Sequence, residues 1–220
     1  MASTDILSAR DRRLGAGDGV CDKNEDIARR AQQAPLIVGI GGTVRPESSS
    51  ERALMISLRA AEAAGARTVT IGGRGLDLPL YDPTAVERSA EAKTLIAAFR
   101  SCDGLIISSP AYHGILSGLI KNALDYAEDL RTDSRSYFDG LPVGCIACGA
   151  GWQAAVQTLA SLRTVVHCLR GWPTPYGAAL NTTQKLFDSD GQCIDAATKS
   201  QLETVATQVC AFLRPVFSAS

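Results

Sequence analysis

Four hydroxyl side chains and one guanidinium follow a short glycine turn near the start of the chain. The turn is Gly39-Ile40-Gly41-Gly42, and the polar side chains after it are those of Thr43, Arg45, Ser48, Ser49 and Ser50. Short hydroxyl donors, backbone N–H groups and a guanidinium together suit the oxygens of a phosphate monoester. The alternative is a polar surface loop in which Ser50 caps the next helix.

Two familiar phosphate-binding patterns do not match this turn. The dinucleotide pattern would need a third glycine where Val44 stands, and the nucleoside-triphosphate loop needs a Gly-Lys-Ser/Thr triplet, which the sequence lacks. The hydroxyls and Arg45 therefore indicate a terminal phosphate group.

The segments around the turn explain how it would be held. Residues 35–41 form an apolar, β-branched run typical of a buried parallel strand, and residues 51–64 have the composition of a helix ended by Gly65. A strand, a glycine turn and a helix N-terminus form an anion site because free N–H groups and the helix dipole meet there.

The same alternation of strands and helices continues along the chain. Strands are predicted at residues 35–41, 68–71, 105–107, 142–148 and 174–176, and helices at 51–64, 86–100, 117–129, 153–169 and 195–213. This pattern predicts an α/β domain over residues 35–215, with a doubly wound five-stranded parallel sheet of order 2-1-3-4-5 and helices on both faces. The loops after residues 41, 109 and 148 should then meet at one site. Residues 1–34 are interpreted as a mobile N-terminal arm and 216–220 as a tail.

Composition excludes several classes of partner. The chain has 220 residues and a net charge of −1, which gives no electrostatic reason to expect nucleic acid or an anionic membrane. No apolar run approaches membrane length, and no secretory signal is evident, so we expect a cytoplasmic protein.

The cysteines and histidines do not suggest a metal or redox centre. Seven scattered cysteines indicate free thiols. Cys145 and Cys148 lie three positions apart on a predicted strand, so their side chains should face opposite sides of the sheet and pack in the core. The two histidines have no metal-ligand spacing, and we predict no metal site.

Two further loops carry aromatic residues beside bare backbone. One is Pro110-Ala111-Tyr112-His113-Gly114 and the other is Gly149-Ala150-Gly151-Trp152. Pro110 should end its strand, and Gly114 should allow the backbone to approach a flat ligand, although it could instead be an ordinary turn residue. Such loops suit a planar heterocycle with polar edges, such as an isoalloxazine.

These loops together resemble the NADPH-dependent FMN reductase family of flavodoxin-like proteins. The resemblance covers residues 35–215 and rests on Gly42-Thr43-Val44-Arg45, the segment Leu78-Pro79-Leu80-Tyr81-Asp82-Pro83, and the run from Ser117 to Asp125. It implies that FMN phosphate binds to Thr43, Arg45, Ser48 and Ser50. It implies isoalloxazine contacts from Pro110, Ala111, Tyr112, His113, Gly114, Gly149 and Gly151.

The resemblance also implies an activity. We expect an FMN-dependent NAD(P)H oxidoreductase in which the flavin carries out the chemistry and no side chain is catalytic. In one version, the protein delivers reduced FMN to a monooxygenase partner or to free flavin. In another, the protein retains FMN and uses it to reduce a quinone, an azo dye or a metal ion. A non-enzymatic flavodoxin-type carrier is a third reading. NADH and NADPH are both open as donors. The family implies a homodimer or homotetramer with the helix 117–129 near the subunit contact.

Overall fold

The computed structural model describes residues 33–217, with side chains described as far as residue 214. The predicted arm, apart from residues 33–34, and the predicted tail, apart from residues 216–217, lie outside the described residues.

The centre of the described chain is a parallel sheet. Its long strands are β1 (Leu36–Gly41), β2 (Arg67–Gly72), β3 (Gly104–Tyr112) and β5 (Pro142–Gly149). The order is β2-β1-β3-β5, followed by two short strands, β6 (Trp172–Pro173) and β7 (Ala178–Asn181), which both pair parallel with β5. With β6 and β7 counted as the fifth position, this is the predicted 2-1-3-4-5 order, which is thus confirmed.

The predicted fifth strand at 174–176 was wrong in position. Pro175 has no N–H group, and the Tyr176 N–H donates to the Gln208 side chain at 2.7 Å instead of to a strand. The strand is therefore interrupted between β6 and β7, and the predicted residues form the gap.

The predicted end of the third strand at Pro110 was also wrong. β3 continues through Pro110, which is in register with Cys148 of β5, to Tyr112. On the other side β1 ends opposite Ser108, so β3 has only one parallel neighbour at Pro110. A proline is tolerated there because its missing N–H has no partner strand to meet. After a turn, β4 (Ile115–Leu116) pairs antiparallel with the end of β3.

Within residues 33–217, five α-helices cover the two faces of the sheet. They are α1 (Ser49–Ala63), α2 (Ala90–Ser101), α3 (Gly118–Asp125), α4 (Trp152–Cys168) and α5 (Ala196–Phe217). Three begin at serine caps, because the hydroxyls of Ser48, Ser89 and Ser117 each accept a backbone N–H three residues on. The predicted helix 117–129 is split into α3 and a 3₁₀ segment, Tyr126–Leu130.

The sheet separates two hydrophobic cores. Val38 and Leu105 pack with α2, α3 and α4 in the first core, and Ile37 and Ile106 pack with α1 and α5 in the second. Cys145 lies in the first core and Cys148 in the second, as predicted from their spacing. All six cysteines in the described part of the chain are unpaired.

Candidate functional site

A cleft of about 190 Å³ lies at the carboxyl ends of the strands, beside the point where the order reverses between β1 and β3. This is where doubly wound sheets bind ligands, because the loops after neighbouring strands diverge there. The residues that line the cleft are Thr43, Arg45, Ser48, Ser49, Ser50, Pro110, Ala111, Tyr112, Cys148, Ala150 and Thr182. The structure thus brings together seven of the eleven residues predicted to bind a cofactor.

The loop of residues 42–50, called the glycine loop below, forms one wall. It begins where β1 passes close to β3: a Cβ at Gly41 would lie 2.7 Å from the Ser108 carbonyl oxygen. Gly42 then turns with a φ of +93°, a conformation that glycine adopts without strain. The Thr43 hydroxyl stabilises the next bend, since it donates to the Arg45 carbonyl and accepts from the Arg45 N–H.

The N-terminus of α1 lies at the end of this loop. The Ser48 hydroxyl caps the helix by accepting from the Glu51 N–H, and it lies 3.2 Å from the Ser50 hydroxyl. Both serines are buried, although they line the cleft. The prediction that Ser50 might cap the helix was wrong, because Ser48 holds that position. The free N–H groups and the positive end of the helix dipole therefore lie beside the cleft wall.

Arg45 adds a full positive charge to this wall. Its guanidinium makes no hydrogen bond or ion pair with any residue between 33 and 217. The neighbouring carboxylate of Glu47 lies 3.4 Å from Arg52 instead. Arg45 and Glu47 therefore form no ion pair with each other among the described contacts. A cation, two buried hydroxyls and a helix N-terminus form a donor set that fits a phosphate monoester.

The β3–β4 hairpin, residues 111–116, lies at the other side of the cleft. Tyr112 is 54% exposed and pairs across the hairpin with the equally exposed Ile115. His113 and Gly114 form the turn with φ values of +53° and +87°. They are absent from the residues that line the cleft. A Cβ at Gly114 would lie 3.1 Å from the Gln157 side chain of α4, so the turn packs on the protein itself. The positive φ of Gly114 is what a tight turn requires at this position, and its part in flavin binding stays a prediction.

Two predicted glycines lie just behind the cleft. A Cβ at Gly149 would lie 2.8 Å from the Ala155 N–H nitrogen and 3.1 Å from the Ala111 Cβ. Gly149 thus allows α4 to start close to the sheet. Gly151 has a φ of +124° at the N-cap of α4, with no atom near its Cβ position. Their neighbours Cys148 and Ala150 reach the cleft, whereas these glycines shape the turn.

Four lining residues are absent from the predicted cofactor contacts: Ser49, Cys148, Ala150 and Thr182. Ser49 and Ala150 belong to loops that the sequence analysis singled out, but neither was assigned a contact with the cofactor. Thr182 follows β7, which was placed too early in the chain, and its N–H donates to the Gly149 carbonyl at 2.8 Å. Cys148 was assigned to the core by the sequence analysis. Burial raises the pKa of its thiol to about 12, although a hydrogen bond with Ser108 acts in the opposite direction.

A third loop, residues 77–89, contrasts with the glycine loop in its electrostatics. Arg88 forms two hydrogen bonds of 2.8 Å with the Asp129 carboxylate, and the Tyr81 hydroxyl donates to the same group at 3.2 Å. The Arg88 guanidinium lies 4.8 Å from the centre of the Tyr81 ring. The hydrogen bonds from Arg88 hold the pKa of Asp129 below its usual value, although partial burial acts in the opposite direction.

Between residues 33 and 217, no cluster of three or more His, Cys, Asp or Glu side chains has the arrangement of a metal site. Within the same residues, no helix combines the length and apolar character needed to cross a bilayer.

The sheet order and the helix N-terminus at the switch point define a doubly wound α/β protein of flavodoxin-like topology. Solved structures with this fold align over most of the chain. FerB, a flavoenzyme NAD(P)H:(acceptor) oxidoreductase from Paracoccus denitrificans, has a TM-score of 0.69 and 19% identity over 83% of this chain and 98% of its own. The apo form of the NADH:FMN oxidoreductase EMOB has a TM-score of 0.61 and 20% identity over 81% and 89%. At these identities the likeness establishes the fold.

The family profile described as NADPH-dependent FMN reductase matches residues 35–185. This chain therefore belongs to the NADPH-dependent FMN reductase family of oxidoreductases, and the predicted resemblance is confirmed.

Curated relatives match over shorter segments. The NADPH azoreductase of Bacillus sp. (strain OY1-2) is 34% identical over 87 residues, which is 39% of this chain and 46% of the relative. The FMN-dependent NADPH-azoreductase of Staphylococcus aureus (strain USA300) is 32% identical over 116 residues, which is 53% of this chain and 58% of the relative. The chain thus spans about half of the length of these relatives.

Proposed function

We propose that this chain is an FMN-dependent NAD(P)H oxidoreductase and that the cleft between the glycine loop and the β3–β4 hairpin is its flavin site. The observation that carries the proposal is the donor set of the glycine loop. Arg45 has no acidic partner among residues 33–217, and the buried hydroxyls of Ser48 and Ser50 line the same cleft. A dianionic phosphate accepts from these groups and from the first turn of α1 together.

The remaining cleft residues are assigned to the flavin ring. Pro110, Ala111 and Tyr112 present an apolar and aromatic wall next to the phosphate donors. His113, Gly114, Gly149 and Gly151 shape the two turns behind that wall, and in the proposal they contribute backbone groups near the ring edge. When bound, FMN supplies hydride acceptance from NADPH or NADH and electron delivery to an acceptor. The protein residues bind the phosphate, orient the ring and leave one ring face open, so no side chain needs to transfer a proton.

The proposed assembly is a homodimer or homotetramer, as the family resemblance implies. In the proposal the subunit contact lies near α3, which the resemblance also implies. The neighbouring loop is compatible with such a contact, because Leu80 is 85% exposed and the adjacent Tyr81 N–H donates to the Asn122 side chain of α3 at 2.8 Å.

The names of the relatives favour one class of acceptor. Two of them are azoreductases, which favours an azo compound as the acceptor of this chain. Reduction of a quinone by retained FMN is a related proposal that these names do not address. Delivery of reduced FMN to a monooxygenase partner or to free flavin is the other proposed role. A cytoplasmic location is part of both.

A titration and an assay test the proposal. We expect the purified full-length chain to bind FMN, with a flavin absorption spectrum that survives desalting if FMN is retained. NADPH and NADH oxidation should then be measured with an azo dye, a quinone and free FMN as acceptors. FMN binding without nicotinamide oxidation would favour the flavodoxin-type carrier, and failure to bind FMN more tightly than riboflavin would contradict the phosphate site.

A further inference from the structure

Arg52 lies on α1 just after the glycine loop and connects that loop to a distant part of the chain. Its side chain is only 20% exposed. Nη1 donates to the Asp188 carbonyl at 2.8 Å, and Nη2 lies 3.4 Å from the Glu47 carboxylate. Nε is buried and has no hydrogen-bond partner among the described residues. Burying an unpaired donor costs free energy, so the two other contacts must hold the guanidinium in place.

The contact with Glu47 reaches a strained point of the glycine loop. Glu47 has a φ of +57°, which is unfavourable for a residue with a side chain. Two side chains of α1 support this conformation. The Glu47 N–H donates to the Glu51 carboxylate at 2.9 Å, and the Glu47 carboxylate faces Arg52. Glu47 lies between Arg45 and Ser48, so its backbone conformation determines how those two groups are placed.

The contact with Asp188 reaches an internally hydrogen-bonded segment, residues 186–194, called the Asp188 turn below. The Asp188 N–H donates to the Gln192 carbonyl at 3.0 Å, and its carboxylate accepts from the Gln192 N–H at 2.8 Å. The Ile194 N–H closes the segment by donating to the Leu186 carbonyl at 2.9 Å. The hydrogen bonds that hold the Asp188 turn therefore lie within the turn itself and do not involve the glycine loop.

We propose that Arg52 is a positioning residue for the phosphate end of the flavin: it transmits the fixed position of the Asp188 turn to Glu47 and so sets the conformation of the glycine loop. The inference rests on the proposed function, because it assigns no direct contact between Arg52 and the phosphate. The planar guanidinium is needed because one group must donate in two directions, to a carbonyl and to a carboxylate. A lysine keeps the charge but cannot hold both partners in this geometry.

The experiment compares FMN with riboflavin, which lacks the phosphate, in the full-length chain. Affinities of both flavins are measured by fluorescence titration for the wild type, Arg52→Ala, Arg52→Lys and the control Arg59→Ala. Arg59 is exposed on the same helix and has no partner among residues 33–217. We expect Arg52→Ala to lower FMN affinity about 10-fold, the effect of one lost charged hydrogen bond, with riboflavin affinity unchanged. Arg52→Lys should show a smaller loss, and Arg59→Ala none.

A double variant tests the route of the effect. If Arg52 acts through Glu47, the double variant Glu47→Ala/Arg52→Ala should lose no more FMN affinity than the more strongly affected of the two single variants. Additive losses would overturn this route. Equal weakening of FMN and riboflavin by Arg52→Ala would show a general structural role and would overturn the inference, as would unchanged FMN affinity. Where Arg52→Ala fails to fold, Arg52→Lys decides by the same criteria.

The wild type separates this inference from the proposed function. A wild type that does not prefer FMN to riboflavin overturns the proposed function and the inference together. A wild type that prefers FMN, with Arg52 variants that retain this preference, overturns the inference alone.

Discussion

The glycine loop and the β3–β4 hairpin lie on two sides of one cleft, but they use their polar groups in opposite ways. The glycine loop leaves Arg45 unpaired among residues 33–217 and points buried hydroxyls to the cleft. Near the hairpin, the Ser109 hydroxyl is already hydrogen-bonded within the protein. It donates to the Pro110 carbonyl and accepts from the Ser117 N–H at 3.0 Å. The glycine-loop side thus leaves the Arg45 guanidinium without a protein partner among residues 33–217, although the Thr43 hydroxyl bonds within the loop. On the hairpin side, Ser109 is hydrogen-bonded within the protein.

This difference predicts that substitutions on the two sides of the cleft affect different properties of the protein. Changes in the glycine loop should alter flavin affinity with little loss of fold stability. Changes in the hairpin turn should alter fold stability first. The predictions below proceed from the largest expected effect to the smallest.

Arg45→Ala should lower FMN affinity about 10- to 100-fold, because a charge-assisted hydrogen bond contributes roughly 1.5–3 kcal/mol. The melting temperature of the apo protein should not change, since no residue from 33 to 217 pairs with the Arg45 side chain. Flavin titration and thermal melting of the same preparation check both statements. An unchanged FMN affinity would remove Arg45 from the site.

Gly114→Val should lower apo stability by about 1–3 kcal/mol, because its φ of +87° is strained for a β-branched residue. A valine side chain would also meet Gln157 of α4. Thermal melting gives the result, with Gly118→Ala as the control, since no atom lies near its Cβ position. Equal melting temperatures for the two variants would contradict the strained turn.

Arg88→Ala contrasts a paired cation with the unpaired Arg45. It should lower stability by about 1–2 kcal/mol after allowance for solvent screening, and FMN affinity should stay within about 2-fold. Because the pKa of Asp129 is lowered in the folded state, the pair stabilises the protein above the ordinary carboxyl pKa. That stability is lost as pH falls through the lowered value.

Urea unfolding at neutral and acidic pH checks this linkage. The difference between wild type and Arg88→Ala should be largest at neutral pH and should shrink in acid. A difference that stays constant across this range would show that packing of the Arg88 stem, rather than its charge, stabilises the loop.

Cys145→Ser and Cys148→Ser should have the smallest effects on activity. Burial raises the pKa of each thiol to about 12, so both are protonated at neutral pH, and their side chains lie in different cores. Each variant should retain most NADPH oxidation when assayed below its melting temperature. Loss of activity in both, with FMN still bound, would revive a dithiol mechanism.

The sheet and the glycine loop could be predicted because their signals are local. Apolar, β-branched runs mark β1 and β5, and glycines followed by hydroxyls mark the turn after β1. The hairpin could not be predicted, since β4 has two residues and exists only through its pairing with Ala111 and Tyr112.

Tertiary contacts also determine the remaining differences. The fifth strand position depends on the hydrogen bond between Tyr176 and Gln208, which lies 32 residues away in the sequence. Thr182 could not be assigned to the site while β7 was misplaced. The arrangement of Arg52 between Glu47 and Asp188 joins residues 136 apart, and no sequence spacing indicates it.

The interrupted strand at the β6–β7 edge affects how the protein behaves when it is crowded. A long unpaired edge exposes donors and acceptors that can recruit a strand from another molecule and start aggregation. Here β6 ends at Pro173 after two residues, and Pro175 lies in the gap before β7. Neither proline offers an N–H group to an incoming strand. We infer that these two prolines protect this edge against intermolecular strand addition during folding and at high concentration.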